Sequence, residues 1–266
     1  MVELSSLLTA YVNRESNVVD LQIDPQGQPS LPIDPYSADR SERKKIAHYF
    51  LLIASVDEGN VVGLADNARK LIVALYSVLK EELYTSDDKG FQEALKDTNL
   101  KLEGRLSRLI PSILGSANSF VKNIADGDLV LHSAQLANPL TFAEEIATNI
   151  YRMGRTSGST RKKTWMYLRW MVRNRPDLRL FDDYDPKDLF VPVDRNVGRV
   201  AVCAGRIPQS HLISLTWNDT LQVTKYAREL FPEDPVKVDY PFFLLGRKLS
   251  SRPSLNEQVL LSAITE

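Results

Sequence analysis

The sequence predicts an all-α fold, and three observations carry that prediction. Apolar residues recur three and four positions apart in the long segments, as in Ile46, Tyr49, Phe50 and Ile53. Helix-starting residues stand before such segments, and glycine or proline stands after them. No stretch shows a convincing strand-length alternation of apolar and polar residues. At 266 residues the chain can bury a full core, as one large domain or two packed lobes.

Leu4 to Val12 predicts a short helix. Asn17 to Pro35 carries Pro25, Gly27, Pro29 and Pro32 and predicts an irregular arm. Ser41 to Val56 is the next helix. About Val62 to Leu83 another follows, with Ala68, Leu71, Ile72, Leu75, Val78 and Leu79 on one face. Phe91 to Ile124 predicts shorter helices broken at Pro111 and Gly115, and Gly127 to Pro139 a connector. Thr141 and Glu144 have capping-box spacing for a helix ending near Gly154.

Arg155 to Ser159 predicts a short hairpin. Ser159 or Thr160 is positioned to cap a helix running to about Asn174. Asp185-Pro186 predicts a turn. Asp194 is the candidate N-cap of the best-delimited helix, with Val197, Val200, Ala201 and Ala204 as its buried stripe and Gly205 as its stop. Trp217 to Phe231 is a further helix, ended by Pro232. Asp234 to Asp239 leads into a short apolar helix with Pro241 in its first turn. Ser254 and Glu257 have capping-box spacing for the last helix.

The formal net charge of −1 means that any surface for a polyanion must be local. The single cysteine, Cys203, excludes an internal disulfide and a cysteine-ligated cluster, and its neighbours predict a buried thiol. His48, His132 and His211 lack metal-ligand spacing, so no metal and no cofactor are expected. No basic-then-apolar leader and no membrane-length apolar run is present, which predicts an intracellular, cytoplasmic protein.

One stretch departs from this even background. From Arg152 to Arg175 the charged residues are Arg152, Arg155, Arg161, Lys162, Lys163, Arg169, Arg173 and Arg175, with no acid among them. Such a run suits phosphate, and equally a solvated cationic face. Gly158 and Ser159 add a turn whose backbone N–H groups can approach an anion, at the start of a helix that favours negative charge. Arg155, Gly158, Ser159 and Lys162 are therefore the candidate DNA contacts. Trp165, Tyr167 and Trp170 lie on the same helix, which is apolar on nearly all sides and so predicted to be buried. Rings deep in a helix that begins at a phosphate-binding turn also suit a pocket for a flipped base, with Tyr167 and Trp170 as candidates.

A helix, a glycine-containing hairpin, a lysine-bearing helix and then Pro192-Val193-Asp194 opening another helix resemble the helix-hairpin-helix DNA glycosylase superfamily. The closest branch is similar to the archaeal 8-oxoguanine DNA glycosylases, through Lys163-Thr164 and Pro192-Val193-Asp194. A related, largely uncharacterised family is similar through Leu168–Arg173 and Asp234–Asp239. The resemblance covers roughly residues 140–250. Ser157-Gly158-Ser159 stands where a Gly-x-Gly turn is usual, Trp170 where the archaeal enzymes place another lysine, and Asn196 where the uncharacterised family has histidine.

The resemblance implies a two-lobed helical fold with a helix-hairpin-helix motif and a cleft between the lobes. Lobe one is about 46–140; lobe two is about 1–45 plus 141–266. It implies a monomer acting on double-stranded DNA that contains a modified base, an oxidised purine such as 8-oxoguanine. The single cysteine leaves no iron–sulfur cluster. Lys163 is the implied nucleophile, a neutral amine that attacks the sugar and leaves a Schiff base permitting β-elimination. Asp194 is the implied carboxylate opposing the positive charge that develops on the sugar; its plainer role is to cap a helix, worth about 1 kcal/mol. Asp239 and Phe243 are the implied contacts to the damaged base. Two other functions fit parts of the pattern: an N-glycosylase acting on free nucleosides or nucleotides, and a non-catalytic DNA-binding scaffold of the same fold.

Overall fold

A computed structural model describes residues 2–16, 32–37, 39–57, 67–100, 102, 108–154, 158–174 and 176–266. Among these residues the α-helices are α1 (Val2–Glu15), α2 (Arg40–Val56), α3 (Asn67–Leu79), α4 (Asp88–Asp97), α5 (Ile110–Asn123) and α6 (Leu129–Gln135). They continue with α7 (Pro139–Asn149), α8 (Lys162–Val172), α9 (Arg195–Cys203), α10 (Trp217–Leu230), α11 (Asp239–Lys248) and α12 (Glu257–Thr265). No strand occurs among the described residues, so the all-α expectation holds there.

α2 is the axis of the first group of helices. Ile46 to Ala54 is almost unbroken apolar sequence, and a helix apolar all round finds neighbours on every side. It packs against α3, α5, α6 and α8. Phe50, Leu51 and Leu52 are buried there, each contributing roughly 2 kcal/mol by leaving water. The one histidine in that run, His48, is buried too, and its Nε2 donates to Asn118 Oδ1 of α5 at 2.8 Å. Burial pushes the His48 imidazole down to about 4, so it is neutral in the fold.

The second group is built on α9 and α11, with α1 packed on α11 and α12. α7 packs against both α5 and α8, and α8 packs against α2. A single apolar cluster runs through all of these helices.

Several boundaries differ from the sequence expectation. Pro111 does not interrupt a helix but sits in the first turn of α5, where its missing N–H costs nothing. Gly115 lies inside α5 because the start of α4 crosses there: an added Cβ would stand 2.8 Å from the backbone nitrogen of Asp88. The expected connector 127–139 contains α6, whose N-cap Asp128 accepts from Val130 N and Leu131 N. Asn138, not Thr141, caps α7, and that helix stops at Asn149 rather than near Gly154. Asn256, not Ser254, caps α12. In each of the last two cases an asparagine immediately before the helix took the role, Thr141 itself lying inside α7. Residues 62–66 of the expected second helix, and residues 17–31 of the expected arm, lie outside the described residues.

Candidate active site

α8 presents two neighbouring stripes. Lys162, Met166, Arg169 and Arg173 repeat at three- and four-residue spacing, and Lys163, Tyr167 and Trp170 form the stripe beside them. The Lys163 stripe faces α2. Lys163 Nζ donates to the Ser55 carbonyl at 2.8 Å, and Tyr167 Oη donates to the Ala47 carbonyl at 3.2 Å. Trp170 meets Phe50 edge-on, ring centroids 5.9 Å apart. All three residues are buried, and burial holds the Tyr167 phenol well above its ordinary pKa. Tyr167 and Trp170, expected as walls of a base pocket, are here rings of the α2–α8 seam, because α2 supplies the apolar surface that covers them.

The Lys162 stripe is charged. Lys162 Nζ pairs with the carboxylate of Asp57, the residue that follows α2. Arg169 Nη1 donates to Asp239 Oδ2 at 2.6 Å, and its other terminal nitrogen lies 3.6 Å from Asp177. Arg173 Nε donates to both carboxylate oxygens of Asp234 at 2.9 Å, and its Nη1 donates to Asp177 Oδ2 at 2.7 Å. Burial works against the Arg173 cation, but Asp177 and Asp234 outweigh it and raise its pKa. Arg169 is 2% exposed, so this cation is internal and cannot serve a phosphate at the surface. The acid-free run in the sequence is thus partly neutralised by acids arriving from residues 177, 234 and 239.

Lys162 lies where these elements meet. Burial lowers its pKa, yet Asp57, then Asp194 and Asp239, more than offset that, and the net shift is upward. Asp194 opens α9 as expected: its Oδ1 accepts from Asn196 N at 2.8 Å and Val197 N at 3.0 Å. These bonds fix the rotamer of the half-buried carboxylate. Asp239 opens α11, and Phe243 follows one turn later, half-buried and stacked on Tyr240 at 6.4 Å. α9 and α11 are held together at Gly246, where an added Cβ would come 2.0 Å from the Asn196 carbonyl oxygen. Only a residue without a side chain allows this approach, which sets Asp239 relative to Asp194.

Of the expected DNA contacts, Gly158 is exposed with open space where a side chain would be. Its carbonyl accepts from Trp217 N at 3.0 Å, tying the turn to the start of α10. Ser159 does not cap α8; its Oγ accepts from Arg161 N at 3.2 Å. Arg161 is the residue before the helix and has φ 52°, a left-handed conformation that costs a non-glycine residue of order 1 kcal/mol. Its guanidinium lies 5.4 Å from the Trp217 ring centroid. Arg155 lies outside the described residues.

Sequence reasoning missed Asp57, Asp177 and Asp234. Arg173 and Asp177 are four apart, a spacing that signals an ion pair; nothing in the sequence points from Lys162 to Asp57. Cys203 is buried, and burial pushes its thiol up to about 11, as suits an inert packing residue. No group of three or more His, Cys, Asp or Glu side chains is arranged to hold a metal among the described residues. No helix among them is long and apolar enough to cross a membrane.

No curated protein and no solved structure matches the chain. Residues 67–248 match the family model described as a protein of unknown function, DUF2400. That span runs from the first residue of α3 to the last of α11 and takes in Lys162, Lys163, Asp194 and Asp239, and the chain belongs to that family.

Proposed function

We propose that this protein is a DNA glycosylase with abasic-site lyase activity, acting on an oxidised purine such as 8-oxoguanine in double-stranded DNA. The reactive centre is the lysine pair that starts α8, with Asp194 opposite. One observation carries the reading: Lys162 is paired with Asp57, and Asp194 and Asp239, brought from the starts of two other helices, also raise the pKa of its amine. The strained backbone of Arg161 immediately before the pair and the exposed Gly158 turn support it.

The chemistry follows from these groups. A neutral lysine amine donates its electron pair to the anomeric carbon. The base–sugar bond breaks, its electron pair leaves with the base, and the base takes up a proton. Loss of a proton from the new secondary amine and opening of the sugar ring give an imine. Removal of the proton on the adjacent sugar carbon then expels the 3′ phosphate. Asp194, fixed by its two backbone hydrogen bonds, opposes the positive charge on the sugar in the transition state. Sequence resemblance selects Lys163 as the amine; Lys162 is the one among carboxylates, which hold it as its ammonium, so it attacks only after one of them takes its proton, while Lys163 is engaged by the Ser55 carbonyl in the α2 seam.

Borohydride trapping on a panel of modified-base and abasic duplexes tests the reading. The expected result is a covalent protein–DNA adduct that Lys162→Gln abolishes while Lys163→Gln retains it. The reverse pattern moves the nucleophile by one residue and leaves the mechanism standing. Asp194→Asn keeps a cap acceptor but loses the charge, so base release falls by about 100-fold or more with substrate binding nearly unchanged. If wild-type protein forms no adduct and releases no base from any duplex, the glycosylase reading fails. Release from free nucleosides, or salt-sensitive duplex binding without chemistry, then identifies the free-nucleoside enzyme or the scaffold.

A further inference from the structure

Two lysines at the start of a helix are badly placed for that helix. The N-terminus of α8 carries partial positive charge, its first turn holds no acid, and Arg161 precedes it with no side-chain cap. Three consecutive cations there repel one another and the helix dipole. Something outside α8 must compensate, and the structure shows what does. The C-terminus of α2, with its partial negative charge, meets the start of α8 end to side. α2 has no basic residue of its own in its last turn. Its Ser55 carbonyl takes Lys163 and its capping residue Asp57 takes Lys162.

The two contacts differ in kind. The Lys163 amine is buried against a backbone carbonyl, which cannot leave without unwinding α2. The Lys162–Asp57 pair is partly solvated, with side chains 29% and 37% exposed, and either partner can rotate away. The charged groups facing Lys162 are Asp57 from α2, Asp194 from the start of α9 and Asp239 from the start of α11. Arg161 and Lys163 are its cationic neighbours on its own segment. Asp239 is already held by Arg169, and Asp194 by two backbone N–H groups. Among the described residues Asp57 shows neither of these restraints; its backbone N–H reaches the Ala54 carbonyl at 3.3 Å.

We propose that Asp57 is a positioning residue that parks the Lys162 amine, as its ammonium, at the end of α2. The amine becomes reactive when it leaves Asp57 for the Asp194 side of the site, where the carboxylate takes one ammonium proton and passes it to the departing base, leaving a neutral amine. Substrate binding would drive the exchange, since a phosphodiester brought against Arg161 and Lys162 competes with Asp57 for the same cation. The consequence for catalysis rests on the glycosylase reading; the hold of Asp57 on the amine does not. Asp57 lies outside the span matched by the family model, so the restraint comes from a part of the chain that the match does not cover.

Titration of the Lys162 amine tests the proposal without needing a substrate. Lysines of the full chain are dimethylated with isotopically labelled formaldehyde, and the Lys162 resonance is assigned by its absence in Lys162→Arg. In Asp57→Asn the midpoint of that resonance should fall by about one pH unit, the low end of the effect of a nearby opposite charge because the pair is partly solvated. Asp57→Ser serves if the amide variant does not fold. An unchanged midpoint in both variants overturns the proposal and leaves Asp57 as a helix-end residue. Trapping on an abasic duplex gives the second reading. The pH for half-maximal adduct should move down by the same amount in Asp57→Asn. A shifted titration with no adduct from any duplex keeps the restraint and removes the glycosylase reading; an adduct with an unshifted titration does the opposite.

Discussion

The two stripes of α8 lie side by side on one helix and are held by opposite physics. Lys163, Tyr167 and Trp170 reach into α2, where a cation and a phenol are satisfied by backbone carbonyls and the rest is apolar contact. Lys162, Arg169 and Arg173 meet carboxylates carried by residues 57, 177, 234 and 239. The first stripe fixes where α8 sits. The second has charge to spare at one end, where Lys162 faces Asp194 as well as Asp57. Burial decides the difference: Arg169 is sealed among its acids, whereas the Lys162 pair is partly solvated. A buried ion pair is structural because neither partner can leave; a solvated one can be traded for a ligand.

The largest expected effect breaks the charged stripe at its buried centre. Arg169→Met removes a buried cation from beside both Asp239 and Asp177, and should cost about 3–5 kcal/mol of unfolding free energy in urea. Lys163→Met in the other stripe gives up the hydrogen bond to the Ser55 carbonyl and puts an apolar chain in an apolar seam, and should cost less, about 1–2 kcal/mol. Equal costs would mean that the two stripes are not energetically distinct.

A second test works on the geometry that brings the acids to α8. Gly246→Ala puts a methyl 2.0 Å from the Asn196 carbonyl oxygen, so α9 and α11 must separate. The expected loss is about 3 kcal/mol; under the proposed glycosylase function, base release should fall further than stability alone explains, because Asp194 and Asp239 move apart. A loss below about 1 kcal/mol would show that the first turn of α9 can retreat without harm.

The smallest expected effect concerns the α2 side. The His48 imidazole is about 4 in the fold against an ordinary value near 6.5, so the unfolded chain binds the extra proton between those values. Stability from this group is complete above about pH 6.5 and is lost as pH falls toward 4, amounting to about 2 kcal/mol by pH 5. His48→Gln can keep the hydrogen bond to Asn118 and should flatten this acid limb in urea midpoints measured between pH 7 and 4.5 (about the span of the window). An unchanged limb would place the sensitivity in the charged stripe instead.

Much of the fold was legible in the sequence because helices are local. The apolar run of α2, the Asp194 cap with its buried stripe and Gly205 stop, and the Asp185-Pro186 turn are decided by residues a few positions apart. Gly205 has φ 68°, the left-handed value that a helix stop requires. α6 was missed because its seven residues carry too little periodicity to register. The Thr141 and Ser254 boxes failed because Asn138 and Asn256, equally good caps, stand immediately before their helices, with Thr141 already inside α7 and Ser254 two residues ahead of Asn256.

What the sequence by itself determined is the all-helical class, the cap at Asp194, and the concentration of cations around the start of α8. Each rests on neighbours in the chain, where spacing alone fixes the geometry. The tertiary structure decided which of those cations are available. Adjacent residues on a helix point about 100° apart, so Lys162 and Lys163 look alike in sequence and face different partners. Which stripe meets α2 and which meets Asp57, Asp194 and Asp239 depends on how α2, α9 and α11 pack around α8. That packing is set by contacts such as Gly246 against Asn196, between residues fifty positions apart, and no local pattern encodes it.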